Sequence, residues 1–171
     1  MSDEVIINER NSGEVNRFAT DFSLLEAQVR SLYDDECDVT ANLANVSALL
    51  FDVLPAVNWA GFYRLMPDGS LMLAPFQGKP ACMRLAAGKG VCGAAVSSGR
   101  TVVVRDVHEF PGHIACDSAS ASEIVVPIRL PGGNIWGVLD IDSPVTGRFG
   151  ETEREGLENV GKIIENYFEI G

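Results

Sequence analysis

Hydrophobic residues recur every three or four positions in two stretches before Pro55, a spacing that places them on one side of a helix. The first stretch runs from about Asn16 to Asp34, with a hydrophobic side formed by Phe18, Phe22, Leu25, Val29 and Leu32. The second follows Asp38, a residue suited to cap a helix, and ends at Pro55. Its hydrophobic side is formed by Val39, Leu43, Val46, Leu50 and Val53. Two amphipathic helices are therefore predicted.

After Asn58 the hydrophobic period changes to two, which indicates strands. The strand segments are NWAGFYRL (58–65), LMLAPF (71–76), TVVVRDV (101–107), EIVVPIRL (123–130) and IWGVLDID (135–142). A short helix is expected around Cys92. A last helix, from about Glu151 to Phe168, buries Leu157, Val160, Ile164 and Phe168. This order predicts an α+β domain in which helices flank a central antiparallel sheet of about six strands.

The length of 171 residues suits a single hydrophobic core. We assign residues 1–15 to a polar leader and residues 16–171 to a single domain. The formal net charge of -11 disfavours binding to nucleic acid or to an anionic membrane surface. The first residues lack the features of a secretory signal, and no segment has the composition of a membrane span. A cytoplasmic protein is therefore expected.

Two long segments, 77–93 and 108–122, fit no regular element, and loops of this length are usually functional or disordered. They contain three of the four cysteines. Cys82 and Cys116 stand beside small, polar and turn-forming residues, which favours accessible thiols suited to redox chemistry. Cys37, which lies outside both segments, is interpreted as structural.

Cys92 lies close to the start of the predicted short helix, where backbone N–H groups would stabilise a thiolate. A role as a small packing residue is the alternative. A zinc site built from the three later cysteines and His108 or His113 is a second alternative. No two of these cysteines are two to four residues apart, as structural zinc sites usually require, so no metal site is predicted.

Three carboxylates are expected to converge at one end of the sheet. Asp140 and Asp142 are two residues apart on a strand and share a face, and Trp136 and Val138 are expected on the same face. Glu123 begins the neighbouring strand. Adjacent carboxylates repel, which raises at least one pKa, so the cluster could bind an ammonium group and donate a proton. The alternative is that Asp142 caps a turn and Glu123 is solvated.

Trp59 and Tyr63 fall on one face of their strand. An aromatic wall of this kind would suit the methyl group of a thioether or sulfoxide, although core packing explains both residues equally well. The glycine-rich segment 88–93 could present N–H groups to a small carboxylate or phosphate, but it matches no nucleotide-binding motif.

Several segments together resemble one enzyme family: NWAGFY (58–63), LAPFQGKPAC (73–82), GKGVCG (88–93), HIACDSASASEIVVP (113–127) and GVLDIDSP (137–144). They are similar to the free methionine-(R)-sulfoxide reductases, which are built on a GAF domain. The resemblance implies that Cys116 attacks the sulfoxide sulfur and that Cys82 resolves the oxidised nucleophile, with Cys92 as an auxiliary partner. It also implies that Glu123, Asp140 and Asp142 hold the substrate and assist protonation.

The implied chemistry passes through a sulfenic acid and a disulfide with Cys82 or Cys92, which thioredoxin would reduce. It requires no metal or organic cofactor. Two alternative functions are a non-enzymatic GAF sensor of a small metabolite and a redox-sensing interaction protein. A homodimer is left open.

Overall fold

A six-stranded antiparallel sheet is the centre of the computed structural model, which describes residues 18–114 and 116–168. The strands are β1 (Trp59–Leu65), β2 (Leu71–Gly78), β3 (Arg84–Leu85), β4 (Val102–Val104), β5 (Ser122–Arg129) and β6 (Ile135–Ser143). Their order across the sheet is β3-β2-β1-β6-β5-β4, and each neighbouring pair is antiparallel. The predicted α+β class is confirmed. The predicted leader, residues 1–15, lies outside the described residues.

Four helices flank this sheet: α1 (Phe22–Leu32), α2 (Val39–Val53), α3 (Gly90–Ser98) and α4 (Glu151–Glu165). Helices α2 and α4 pack directly on the sheet, and α1 packs on both of them. Helix α3 packs on β5 and β6 from the other side, where it belongs to a separate hydrophobic cluster. Among the described residues, no helix has the length and hydrophobicity needed to cross a membrane.

Aspartate caps decide where the first two helices begin. The Asp38 side chain accepts a hydrogen bond from the Ala41 backbone N–H at 2.9 Å, as predicted. Asp21 caps α1 in the same way through Leu24, so this helix begins at Phe22 and the predicted start near Asn16 is wrong. Phe18 precedes the cap, and its ring lies 4.8 Å from the Arg148 guanidinium carbon.

The sheet separates two hydrophobic clusters, because successive side chains of a strand point to opposite faces. On β1, Phe62 belongs to the larger cluster beneath α1, α2 and α4. Trp59 and Tyr63 belong to the smaller cluster beneath α3, together with Cys92 and Val138. The smaller cluster therefore contains the aromatic and sulfur side chains that the sequence analysis singled out.

A β-bulge at Trp136 corrects one prediction about the faces of β6. Ile128 pairs with Gly137, but the next residue, Arg129, pairs with Ile135, so Trp136 has no partner in this register. The extra residue reverses the direction of its side chain. Trp136 consequently packs against Phe168 in the larger cluster and does not share the face of Val138.

The two segments predicted to be irregular contain more structure than their sequences indicate. β2 continues to Gly78, β3 forms at Arg84–Leu85, and a 3-10 helix spans Val107–Glu109. This 3-10 helix is capped by Asp106, which accepts a hydrogen bond from the His108 N–H at 3.0 Å, and the strand predicted to reach residue 107 ends at Val104. A two-residue strand is too short to show a period, so only its pairing with β2 reveals it.

Candidate active site

A cavity of about 40 Å³ lies between the first turn of α3, the sheet and the segment 113–120. Its walls include seven of the eight site residues proposed from sequence: Trp59, Tyr63, Cys92, Cys116, Glu123, Asp140 and Asp142. Cys82, the eighth, is joined to this wall through Cys116. A cavity of this volume has room for one or two water molecules. The structure thus brings the predicted residues together around a small, partly open cavity.

Cys82 and Cys116 form a disulfide, with 5.7 Å between their Cα atoms and a separation of 34 positions in the sequence. Cys82 lies in the loop between β2 and β3, and Cys116 lies in the segment that leads to β5. The resemblance implied that Cys82 resolves Cys116, with Cys92 as an alternative disulfide partner, and the structure pairs Cys82 with Cys116. Cys92 and Cys37 are free thiols.

The three predicted carboxylates meet where β5 lies beside β6. Glu123 pairs with Asp142 in the strand register, and Asp140 is one step further on the same face of β6. Glu123 and Asp140 are each only 6% exposed. Burial is the main reason that the pKa values of Glu123 and Asp142 are raised well above their usual range, and the Asp140 charge raises both further. The cluster therefore retains protons near neutral pH.

Asp140 lies between two hydrogen-bond donors. Its pKa is raised to about 6 by burial, while hydrogen bonds from the side chains of Glu123 and Cys92 act in the opposite direction. Protonated Glu123 and the Cys92 thiol thus donate to the Asp140 carboxylate. Cys92, Glu123 and Asp140 each place one potential ligand atom within 4.8 Å of the others, a geometry that could also hold a metal ion.

The predicted thiolate at Cys92 is contradicted by its surroundings. Cys92 is in the first turn of α3 but is only 3% exposed. Burial raises its pKa well above the usual range, and the charges of Asp140, Glu123 and Asp142 raise it further. These effects outweigh the helix N-terminus, and Cys92 is a buried thiol.

Cys37 is also placed differently from its interpretation as a structural residue. It is exposed in the turn before α2, and its thiol lies 3.5 Å from an oxygen of Asp34. This hydrogen bond is the main reason that the Cys37 pKa is raised. Cys37 therefore contributes no packing to either cluster.

Two buried polar atoms in the cavity walls lack a hydrogen-bond partner within the described part of the chain: Trp59 Nε1, a donor, and Asp140 Oδ1, an acceptor. The Trp59 ring stacks on Tyr63 with centroids 5.8 Å apart and on Phe76 at 5.2 Å. Buried polar groups are nearly always hydrogen-bonded, so unpaired atoms at a cavity indicate groups that a ligand or water satisfies.

The glycine-rich segment shapes the α3 side of the cavity. Gly88 and Gly90 have φ values of +70° and +68°, and a Cβ atom at Gly93 would overlap the backbone of Gly88. This close approach directs the start of α3 towards the site, where Gly90, Val91 and Cys92 line the wall. The free N–H groups of a first helical turn favour an anionic group.

Sequence reasoning missed a hydrogen-bonded connection behind Cys116. The Asn58 side-chain amide donates to Asp117 Oδ2 at 3.3 Å and to Ser120 Oγ at 3.2 Å, while the Asn58 backbone N–H donates to the Asp142 carbonyl at 3.0 Å. Asn58 thereby ties the segment after Cys116 to the carboxylate end of the sheet. The signals were its place just before β1 and its presence in the NWAGFY segment (58–63).

His113, considered earlier only as a zinc ligand, also lines the cavity. Its Nε2 atom lies 3.7 Å from Glu123 Oε2, and burial lowers its pKa. A neutral imidazole beside a protonated carboxyl group adds a second group able to exchange protons there. His108 lies elsewhere, paired with Asp106 at 2.8 Å.

Comparisons with known proteins show which family this chain resembles in sequence and fold. The GAF domain family model matches residues 22–167. The free methionine-R-sulfoxide reductase of Escherichia coli is 50% identical over 141 residues, covering 82% of this chain and 84% of that protein.

Two solved structures are also similar over most of their length. fRMsr of Staphylococcus aureus in its reduced form has a TM-score of 0.83 and 54% identity, covering 88% of this chain and 96% of that one. The free methionine-R-sulfoxide reductase of Neisseria meningitidis in complex with its substrate has a TM-score of 0.83 and 44% identity, covering 89% and 93%. The resemblance in the sequence motifs is therefore confirmed, and the chain belongs to the free methionine-R-sulfoxide reductase family of GAF domains.

Proposed function

We propose that this chain reduces free methionine R-sulfoxide to methionine. Relatives named for this activity are about half identical to it over most of their length. The observation that carries the proposal is the disulfide between Cys82 and Cys116, because it joins a cysteine of the cavity wall to a second thiol outside it. A nucleophile that becomes oxidised in each turnover requires such a partner.

Cys116 is the nucleophile in this proposal. Its thiolate attacks the electrophilic sulfur of the sulfoxide, and protonation of the sulfoxide oxygen allows methionine to leave. The oxygen remains on Cys116 as a sulfenic acid, so sulfur of the substrate is reduced by two electrons and Cys116 is oxidised by two. The raised pKa values of Glu123 and Asp142 support their role as proton donors.

The cavity walls suit the parts of a free amino acid. Asp140, whose Oδ1 atom is unpaired among the described residues, is placed to accept the ammonium group. The stacked rings of Trp59 and Tyr63 form an apolar wall for the methyl group. The first turn of α3 offers N–H groups to the carboxylate. The small volume of the cavity supports selectivity for a free amino acid over a peptide chain.

Cys82 then condenses with the Cys116 sulfenic acid, forming the disulfide and releasing water. An external dithiol, for which we propose thioredoxin, reduces this disulfide by exchange. Cys92 has an auxiliary role as a hydrogen-bond donor to Asp140.

We further propose that residues 16–171 form a single domain, that the protein is cytoplasmic and that it forms a homodimer.

Separate substitutions of Cys82 and Cys92 test these roles. We expect Cys82→Ser to prevent the intramolecular disulfide and to leave Cys116 as sulfenic acid after one turnover. We expect Cys92→Ser, which keeps a hydrogen-bond donor near Asp140, to form the disulfide normally. Maleimide gel shifts after oxidation by substrate would distinguish the two variants. A disulfide that persists in Cys82→Ser and disappears in Cys92→Ser would reverse the assignment.

The proposed activity is tested with separated epimers of free methionine sulfoxide. We expect the protein with dithiothreitol to convert the R epimer to methionine, measured by chromatography, and to leave the S epimer unchanged. Methionine sulfoxide within a blocked peptide serves as a second substrate. No methionine from either free epimer, or comparable turnover of the peptide, would contradict the proposal.

A further inference from the structure

We propose that the Tyr63 hydroxyl positions Cys82 for disulfide formation, so that Tyr63 acts on the resolving step as well as forming part of the cavity wall. This inference rests on the proposed function. It concerns a step after methionine has formed, when the Cys116 sulfenic acid must meet a thiol that lies in a different loop. It makes Tyr63 a positioning residue for that thiol.

The evidence is a hydrogen bond between a rigid side chain and the resolving loop. Tyr63 donates its hydroxyl hydrogen to the backbone carbonyl of Cys82, with 2.9 Å between the oxygen atoms. Burial is the main cause that raises the Tyr63 pKa, so the hydroxyl remains a donor throughout the neutral range. The bond therefore holds Cys82 by its backbone and does not involve its sulfur, which is bonded to Cys116.

Tyr63 itself is held firmly. It lies within β1, pairing with Val138 of β6 on one side and Leu73 of β2 on the other, and it is only 2% exposed. Its ring stacks on Trp59. A hydrogen bond from such a residue fixes its acceptor relative to the sheet, which also carries the segment leading from Cys116 into β5.

The loop around Cys82 is exposed on both sides of this residue. Lys79 and Pro80, just before it, and Met83, just after it, are exposed. The Met83 carbonyl accepts a hydrogen bond from the Leu73 N–H at 2.9 Å, which fixes the end that enters β3. The bond from Tyr63 adds a second fixed point at the reactive residue. In the disulfide the Cys82 and Cys116 Cα atoms lie 5.7 Å apart, within the usual range, and both hydrogen bonds are present in this arrangement.

The step that Tyr63 assists is the condensation of the Cys82 thiol with the Cys116 sulfenic acid. The Cys82 sulfur displaces oxygen from the Cys116 sulfur, a sulfur–sulfur bond forms, and the oxygen leaves as water with the thiol proton. No further oxidant is needed, because the substrate supplied the oxidising equivalents. The rate depends on how often the two sulfur atoms meet.

The test measures how much of the Cys116 sulfenic acid is trapped by dimedone and how much forms the disulfide with Cys82. The reduced full-length protein reacts with one equivalent of free methionine R-sulfoxide in the presence of dimedone, which traps sulfenic acids. Mass spectrometry then gives the ratio of dimedone adduct to Cys82–Cys116 disulfide. This ratio is independent of the rate of the first step. We expect Tyr63→Phe to raise it roughly fivefold, the effect of losing one ordinary hydrogen bond.

Tyr167→Phe is the matched control. The Tyr167 hydroxyl also donates to a backbone carbonyl, that of Val29, at 2.7 Å, but in the larger cluster on the other side of the sheet. We expect Tyr167→Phe to give the same ratio of dimedone adduct to Cys82–Cys116 disulfide as the unsubstituted protein. In a Cys82→Ser background, Tyr63→Phe should not change the adduct yield per methionine released, because no resolving thiol remains.

An unchanged ratio in Tyr63→Phe, or an equal rise in Tyr167→Phe, would overturn the inference. Failure of the proposed function is a separate result, since the unsubstituted protein would then release no methionine in the same experiment.

Discussion

Replacing Cys116 with serine should abolish the formation of methionine from free methionine R-sulfoxide. A hydroxyl group differs from a thiol by one atom, so the cavity and its carboxylates should persist. The hydroxyl is not ionised near neutral pH and is a poor nucleophile towards sulfur. We expect a loss of at least about a thousandfold in kcat/KM, as for other enzymes that lose their nucleophile. The amount of methionine formed during a long incubation, measured by chromatography, sets the upper limit on the activity that remains in the variant.

Cys37→Ser is the matched control for this substitution. Cys37 is an exposed free thiol that does not line the cavity, so its removal should leave turnover unchanged. The comparison separates the loss of one particular thiol from a general loss of thiols. Residual turnover in Cys116→Ser within tenfold of the unsubstituted protein would show that another group attacks the sulfoxide.

Replacing Glu123 with glutamine should lower activity and raise stability. Glutamine keeps the shape of the side chain but supplies no acidic proton, and loss of a general acid usually costs about 10²- to 10⁴-fold in rate. The same change removes a buried group that would become negatively charged beside Asp140 and Asp142. We expect a gain of about 1 kcal/mol in the free energy of unfolding near pH 8, a size common for substitutions at strained functional sites.

The gain should depend on pH in a defined direction. The native pKa of Glu123 is raised above its ordinary value, so above about pH 4.5 the native state holds a proton that the unfolded chain releases. The free energy of unfolding of the parent protein therefore falls as pH rises from there through the native pKa. Glu123→Gln removes this contribution. Urea unfolding at pH 5 and pH 8 should show the larger difference at pH 8.

Glu153→Gln provides a control with the opposite sign. Glu153 is also buried, but its carboxylate accepts from the Arg148 guanidinium at 3.2 Å, and the Arg148 side chain is fully buried. Removing the negative charge leaves a buried cation without its counterion, which should destabilise the protein. A loss of stability in Glu123→Gln at pH 8 would show that this carboxyl group supports the fold.

The acid cluster shows how much of the site could be predicted from the sequence. Alternation along a strand places Asp140 and Asp142 on one face, and the hairpin before β6 brings Glu123 opposite Asp142. These relations depend on neighbours along the chain. The same rule was wrong for Trp136, because a bulge of one residue reverses the face without leaving a clear mark on the pattern.

The cysteines show what remained beyond the sequence. The resemblance implied that Cys82 resolves Cys116, but Cys82 and Cys92 lie in one long segment, so spacing by itself could not decide which of them reaches Cys116. Nor could it show that Cys92 is buried among carboxyl groups, which reverses the expected effect of a helix N-terminus. The neighbours His113 and Asn58 were likewise not recognised as parts of the site, because their partners are distant in the sequence.

The sequence alone determined the presence of the four helices, the Asp38 cap, the α+β class, the family and seven of the residues that line the cavity. These properties depend on local hydrophobic period, capping residues and motifs. The tertiary structure decided the pairing of Cys82 with Cys116, the protonation of the buried acids and the contact between Tyr63 and the Cys82 loop. Those depend on burial and on distances between segments far apart in the chain, which no local pattern encodes.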